Sequence, residues 1–373
     1  MTLLLNPMTN KPRISVIVPV YNAASTLDMS IGSLVGDQFK DMSPESWEIV
    51  AVDDGSADGS LETLRKWETL YPANIHVITG ANRGVSHARN AGMEAAHGEW
   101  LAFVDADDYM LPGSLPALLE TGISTGADTV RFGFTMVKAD EQKQVENHDH
   151  PYSKSDVEVC GGLEFLDSTR GMIESRSQWN ACFGLFSRRS VEGIRFPEGL
   201  IVGEDCIFTW EVMLRNPKVA LVDKDLYIYI QYPSSAMNST DPAHLLRMME
   251  GRHLFCDSLL DIRRRYSSIL GSRAIDGLET VARNAHNEAL INGVVLGRKY
   301  GDMWHDMRLY KNFGMTVKPG RPRFYNRDAK YTPAAKLRRW IVAYPIPLAM
   351  GLADALRGRG LWNVDGTTSK KQG

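Results

Sequence analysis

The chain has 373 residues, 43% hydrophobic and 23% charged, with a formal net charge of -3. This composition excludes a disordered or low-complexity chain and allows one large domain or two moderate ones. The charge is uneven: residues 307–360 hold twelve Lys/Arg against two Asp/Glu, a net of +10, which leaves -13 for the remainder.

The first 135 residues alternate strand and helix patterns. Ile14 to Val20 is a near-continuous apolar run, as expected of a strand covered on both faces. Ser25 to Gly36 reads as a helix opened by a Ser/Thr cap, Trp47 to Val52 as a second strand, and Asp58 to Leu70 as a helix. Ile75 to Ile78 follows as a third strand, then a helix from Gly84 to His97 closed by Gly98. Leu101 to Val104, Ser114 to Ile123 and Thr129 to Phe134 continue as strand, helix, strand. Repeated βα units predict a parallel sheet with helices on both faces, and ligands bind beyond the carboxyl ends of such strands.

After the charged stretch Lys138 to Asp156, Gly161 to Ile173 reads as helical, and an aromatic-rich run spans Trp179 to Phe186. Glu204 to Arg215 is a further helix, stopped by Asn216-Pro217; Val219 to Leu221 and Leu226 to Tyr232 are late strands. Helical patterns then dominate at 242–268, 273–297, 302–312 and 333–357. The expected division is 1–235, with a donor half 13–135 and an acceptor half 136–235, followed by a helical region 236–373. The helices between 242 and 312 serve either the acceptor site or contacts between copies of the chain.

Four polar clusters sit just after apolar strands: Pro19-Val-Tyr21-Asn22, Asp53-Asp54-Gly55-Ser56, Arg83-Gly-Val-Ser-His-Ala-Arg89-Asn90-Ala-Gly92, and Asp105-Ala106-Asp107-Asp108. Strand ends of a parallel sheet converge on one edge, so an aromatic ring, five carboxylates and two arginines are expected to share a cleft. That suits a nucleotide diphosphate held with a metal. From the residues alone, bland readings also stand. The aspartates are common turn and N-cap residues, Tyr21 could fill a core, and Arg89 could pair with a neighbouring carboxylate. His87 reads as a solvated helix residue.

In order and at suitable spacing, Ile14-Ser-Val-Ile-Val-Pro-Val-Tyr-Asn22, Val52-Asp-Asp-Gly-Ser56, Asn82-Arg-Gly with Ala88-Arg-Asn-Ala-Gly92, and Phe103-Val-Asp-Ala-Asp-Asp108 resemble the inverting family 2 glycosyltransferases over residues 13 to about 235. The resemblance implies a GT-A fold: a Rossmann-like α/β sheet that binds nucleotide-diphospho-sugars, here with a C-terminal helical region. It implies that Tyr21 stacks on uracil, Pro19 contacts the base through its backbone, and Asp54, with Asp53 beside it, accepts the uracil N–H. Arg89 matches a basic residue near the base and diphosphate. Asp105-Ala106-Asp107 matches the Asp-x-Asp motif. Its last carboxylate would bind Mn2+ or Mg2+, and Asp105 would hold the ribose or a metal-bound water.

In Gly203-Glu204-Asp205 the resemblance puts Asp205 at the base position, with Glu204, Trp179 and Asp108 on the acceptor side. His244 is the one downstream histidine placed to complete a metal site. The reaction implied is single displacement of UDP from a UDP-sugar by a hydroxyl of a glycan or lipid-linked glycan. A sugar nucleotidyltransferase would favour a Gly-rich loop after the first strand. A non-catalytic sugar-nucleotide or membrane-binding scaffold would have no need of Asp205.

Arg321 to Tyr344, followed by Pro345-Ile-Pro-Leu-Ala-Met, sets cations beside Trp340, Tyr344 and a modest apolar run. That suits an interfacial segment on anionic lipid or a C-terminal helix packed on the body. No nucleic-acid motif accompanies the charge. The four cysteines form neither a CxxC pair nor a disulfide framework. The apolar run at the start is too short for a signal peptide, and no stretch reaches the ~18 apolar residues of a membrane span. A cytoplasmic protein, peripheral on the inner face of the cell membrane, is therefore expected.

Overall fold

The computed structural model describes residues 11–139, 156–167, 180–215, 218–232, 241–279, 281, 282 and 285. The chain divides into two compact units. The first comprises 1–200, 204–233 and 269–274, and the second 201–203, 234–268 and 275–373.

One nine-stranded sheet organises the first unit. β1 (Ile14–Val20) lies between β2 (Trp47–Asp53) and β4 (Trp100–Phe103), parallel to both, and β3 (Ile75–Thr79) flanks β2. All seven residues of β1 and of β2 are buried, which is why their sequences run apolar without alternation.

The other half of the sheet corrects the parallel expectation. β8 (Gly184–Ser187) inserts antiparallel between β4 and β6 (Thr129–Lys138), and β6 pairs parallel with β9 (Val219–Gln231). β5 (Tyr109–Met110) and β7 (Val157–Cys160) are antiparallel to β9. The sheet is therefore mixed. β8 arrives from the long excursion after β6 rather than from a helical crossover, and only a crossover imposes parallel pairing. The two late strands are one, β9, whose pairing with β6 shifts register around Gly133.

The helices are α1 (Leu27–Ser33), α2 (Ser60–Leu70), α3 (Val85–Ala95), α4 (Ser114–Thr125), α5 (Gly162–Asp167), α6 (Glu204–Arg215) and α7 (Pro242–Tyr266). α1 is shorter than expected: it starts after Thr26, which makes no side-chain cap and instead bonds carbonyls. Gly98 does not close α3, which ends with Ala96 in an extended conformation. Its N–H donates to Ser15 Oγ (2.7 Å) and Glu48 Oε1 (3.2 Å), and a Cβ there would lie 2.5 Å from the Ser15 nitrogen. Close approach of backbones requires that glycine.

α6 docks on a phenylalanine cluster behind the strand ends. Phe103 meets Phe196, Phe208 and Phe186 edge-on at 5.1, 5.6 and 6.1 Å, and Phe196 stacks on Phe208 at 4.0 Å. Each buried Phe contributes about 1.5–3 kcal/mol, so the cluster fixes α6 against β4 and β8.

In the second unit, α7 opens with Asp241 Oδ2 accepting from His244 N–H at 2.8 Å. Residues 272–279 are helical. Among the described residues no helix is long and apolar enough to cross a membrane. The helices expected at 302–312 and 333–357 lie outside the described residues.

Candidate active site at the carboxyl edge of the sheet

β1 ends with Pro19 buried opposite Val52, and Tyr21 stands just beyond it, 53% exposed. That exposure rules out the core reading of Tyr21. Its loop is fastened to the one after β2. Asn22 N–H donates to Ser56 Oγ (3.0 Å), Ala57 N–H to Asn22 Oδ1 (2.8 Å) and Ala23 N–H to Ser60 Oγ (2.8 Å). Asn22 turns the chain at φ +51°, a conformation Asn tolerates better than other side chains. The ring is thus an exposed aromatic face on a preformed turn.

Asp53 and Asp54 are buried. Asp53 accepts from Ser56 N–H (3.2 Å) and Thr79 Oγ1 (2.9 Å), closing its own turn. Asp54 accepts from Arg83 N–H (2.9 Å) and Gly84 N–H (2.7 Å), at the N-terminus of α3, where the dipole favours an anion. Each carboxylate oxygen keeps a lone pair for a further donor. Gly55, at φ +73°, has no room for a side chain: a Cβ would lie 2.8 Å from the Asn82 nitrogen.

After β4, the three carboxylates take different environments. Asp105 is partly exposed and its backbone is held on both sides. Its N–H donates to the Tyr227 hydroxyl (3.2 Å), and its carbonyl accepts from Ser30 Oγ (3.1 Å). Thr26 Oγ1 holds the Ala106 carbonyl at 2.9 Å. Asp107 is exposed, and among the described residues no cation pairs with it. Crowding by surrounding protein, and then the charge of Asp105, push its carboxyl up to about 6.

Asp108, expected on the acceptor side, is instead buried. It accepts from the Tyr227 hydroxyl and the Ile230 N–H, both at 2.8 Å. Burial, then Asp105 and Asp107, push its carboxyl up to about 9. It is a strut between the loop and β9. Asp108→Ala would strand two buried donors at about 1–3 kcal/mol each, lowering the melting temperature by roughly 10 °C. An unchanged melting temperature would contradict this.

Arg89, on the buried face of α3, does not reach out toward a nucleotide. Its Nη2 donates to Asp105 Oδ1 and its Nη1 to Glu204 Oε1, both at 2.8 Å, and it lies 5.3 Å from the Phe196 ring centre. Burial opposes its charge, but Asp105, with Glu204 and Asp205 among the further influences, outweighs burial and raises its pKa. Glu204, expected as an acceptor contact, is buried in this pair. Asp205 follows at the start of α6, its Oδ1 accepting from Cys206 N–H at 2.8 Å. Burial, then the charge of Glu204, push its carboxyl up to about 7.

His87 and Arg83 both pair with Glu198, at 3.3 and 3.0 Å, on the surface of the first unit. His244 belongs to the first turn of α7, in the second unit. Trp179 lies outside the described residues. Among the described residues no group of three or more His, Cys, Asp or Glu could hold a metal unaided.

Residues 15–185 match the family model described as Glycosyl transferase family 2. Over those residues the chain is similar to the family 2 glycosyltransferases. EpsJ of Bacillus subtilis, an uncharacterized glycosyltransferase, is 31% identical over 226 residues, 60% of this chain and 62% of its own. The succinoglycan biosynthesis protein ExoO of Rhizobium meliloti is 28% identical over 225 residues, 58% of this chain and 60% of its own. The chain thus spans about three-fifths of the length of these relatives. S. aureus TarS 1-349, in its complex with UDP-GlcNAc, superposes with a TM-score of 0.57 at 20% identity, covering 93% of this chain and 92% of that one. The likeness to TarS establishes the fold, which is GT-A.

Sequence reasoning missed the residues that support this site: Thr26, Ser30 and Tyr227 around the Asp105 loop, and Arg131. Arg131 is buried, and its Nη2 donates to the Asn180 carbonyl at 2.8 Å. Burial lowers its pKa, and the charge of Asp205 is among the influences that oppose this. An arginine inside the strand Thr129–Phe134 was the available signal, since a buried cation needs nearby anions.

Proposed function

We propose that the chain transfers a sugar from a UDP-sugar to a hydroxyl of a glycan or lipid-linked glycan, with inversion and with Asp205 as base. The observation that carries this reading is the separation of carboxylate roles on one sheet edge. Asp107 is exposed and has no cation partner among the described residues, Asp105 is held by Arg89, and Asp205 opens α6 next to Glu204 with its carboxyl pushed up by burial. A base works best with its pKa near the working pH.

In this reading Tyr21 stacks on the uracil, Asp54 accepts its N–H, and Pro19 lines the base with backbone. Asp107, with Asp105, offers hard oxygen ligands of the kind Mg2+ or Mn2+ uses alongside substrate phosphates, and two protein carboxylates suffice for such a site. When bound, the cation offsets negative charge on the departing UDP. Asp205 takes the proton of the acceptor hydroxyl as that oxygen attacks the anomeric carbon from the face opposite UDP. Arg89 stays in its carboxylate pairs throughout.

The domain division at about residue 235 and contact of residues 321–353 with anionic membrane belong to the same proposal. Deleting residues 332–373 should release the protein from anionic vesicles; persistent binding would remove the tail as anchor. The function itself is tested by UDP release from UDP-glucose, UDP-galactose and their N-acetyl forms, with p-nitrophenyl glycosides as acceptors. Release from one of them, dependent on Mn2+ or Mg2+, is expected; no release from any would overturn the donor class.

A further inference from the structure

The buried guanidinium of Arg89 joins two loops that the proposed reaction uses at different moments. One fork nitrogen holds Asp105, in the donor loop; the other holds Glu204, the residue before Asp205. The same helix grips the segment leading to α6 a second time. Asn90 Nδ2 donates to the Phe196 carbonyl (2.9 Å), and Phe196 N–H donates back to Asn90 Oδ1 (2.8 Å). Phe196 in turn carries Arg89 on one contact and Phe208 of α6 on another, at 5.3 and 4.0 Å. Gly92 completes the seating of α3, since a Cβ there would lie 2.4 Å from an Ile17 methyl.

We infer that Arg89 and Glu204 are positioning residues that set Asp205 relative to the Asp105 loop, so that the base is placed by the same cation that holds the donor loop. This rests on Asp205 being the base. Glu204 then needs no contact with substrate: its carboxylate is an anchor for the first turn of α6. A bidentate fork between two carboxylates fixes distance and angle together, which a single ammonium cannot do. Misplacing a reacting group by about 1 Å costs on the order of 100-fold in rate.

The test uses the full chain with Glu204→Gln and Arg89→Lys. Gln matches Glu204 in size but lacks its charge, so the ion pair with Arg89 is cut while Arg89 keeps Asp105, and Glu204→Gln should fold with a cooperative melt. Its kcat for UDP release in the donor screen should fall by about 30-fold or more, while KM for the UDP-sugar and the Kd of UDP with Mn2+ stay within about threefold. Amide hydrogen exchange across residues 204–208 should speed up by about tenfold, a readout independent of turnover. The kcat losses of Glu204→Gln and Arg89→Lys should be far from additive in the double variant, because both cut one link.

Unchanged kcat in Glu204→Gln, equal losses in kcat and in UDP affinity, or additive losses would each overturn the coupling. Should Arg89→Lys fail to fold, the kcat and exchange results for Glu204→Gln decide alone. Asp205→Asn, run in parallel, separates the two claims: retained turnover there refutes the base, whereas its loss with a fully active Glu204→Gln refutes only the positioning.

Discussion

Asp205→Asn should abolish sugar transfer and leave UDP binding intact. General-base removal costs about 100- to 10,000-fold in rate, and Asn cannot take the proton. The surroundings of Asp205 make the effect specific. Burial, then the charge of Glu204, push the carboxyl from 3.8 to about 7. Only the ionised form is a base, so activity should climb as pH rises through about 7 and level above it. The stability sign is opposite. A carboxyl whose native pKa is raised binds its proton more tightly folded than unfolded, so the group costs stability as pH rises from about 4 to about 7. Asp205→Asn should therefore flatten the fall in stability over that window. Transfer retained by Asp205→Asn, measured beside an unchanged UDP affinity, would remove Asp205 from the reaction.

Asp107→Ala should remove the dependence of UDP affinity on Mn2+, a loss at least as large as the roughly 10- to 100-fold that follows when a residue merely supporting a metal ligand is removed. Asp107 is the carboxylate of the Asp105–Asp108 run left without a cation or a core partner among the described residues. Its charge lies close to that of Asp105, which disfavours ionisation until a cation arrives. Chelation of wild-type protein should reproduce the variant's weaker binding, and metal-free affinity should be the same for both. Equal, metal-responsive UDP affinity in Asp107→Ala and wild type would refute the assignment.

Much of this was legible in the sequence where physics is local. The buried runs of β1 and β2 announced strands covered on both faces, and α6 begins and ends at Glu204 and Arg215 as its pattern implies. What escaped was set by partners distant in the chain. β8 pairs with both β4 and β6 by threading between them, and nothing in Gly184–Ser187 records its direction.

Three aspartates within four residues look equivalent on paper. Asp108 differs because Tyr227, 119 positions on, closes over it. The family resemblance put Arg89 near the base and diphosphate, while the residues alone also allowed a pair with a neighbouring carboxylate. The Arg89 side chain points into the fold, toward Glu204, 115 positions away. The sequence reading set these residues on one edge of the sheet, and burial then separates the exposed Asp107 from the buried Asp108.

The most direct measurement is the anomeric configuration of the product. A nuclear magnetic resonance spectrum of the glycoside formed from an α-linked UDP-sugar reports it without knowledge of the natural acceptor. Single displacement with Asp205 as base predicts a β-linked product. An α-linked product would contradict it, since a hydroxyl deprotonated by Asp205 and attacking from the face opposite UDP must invert the anomeric centre.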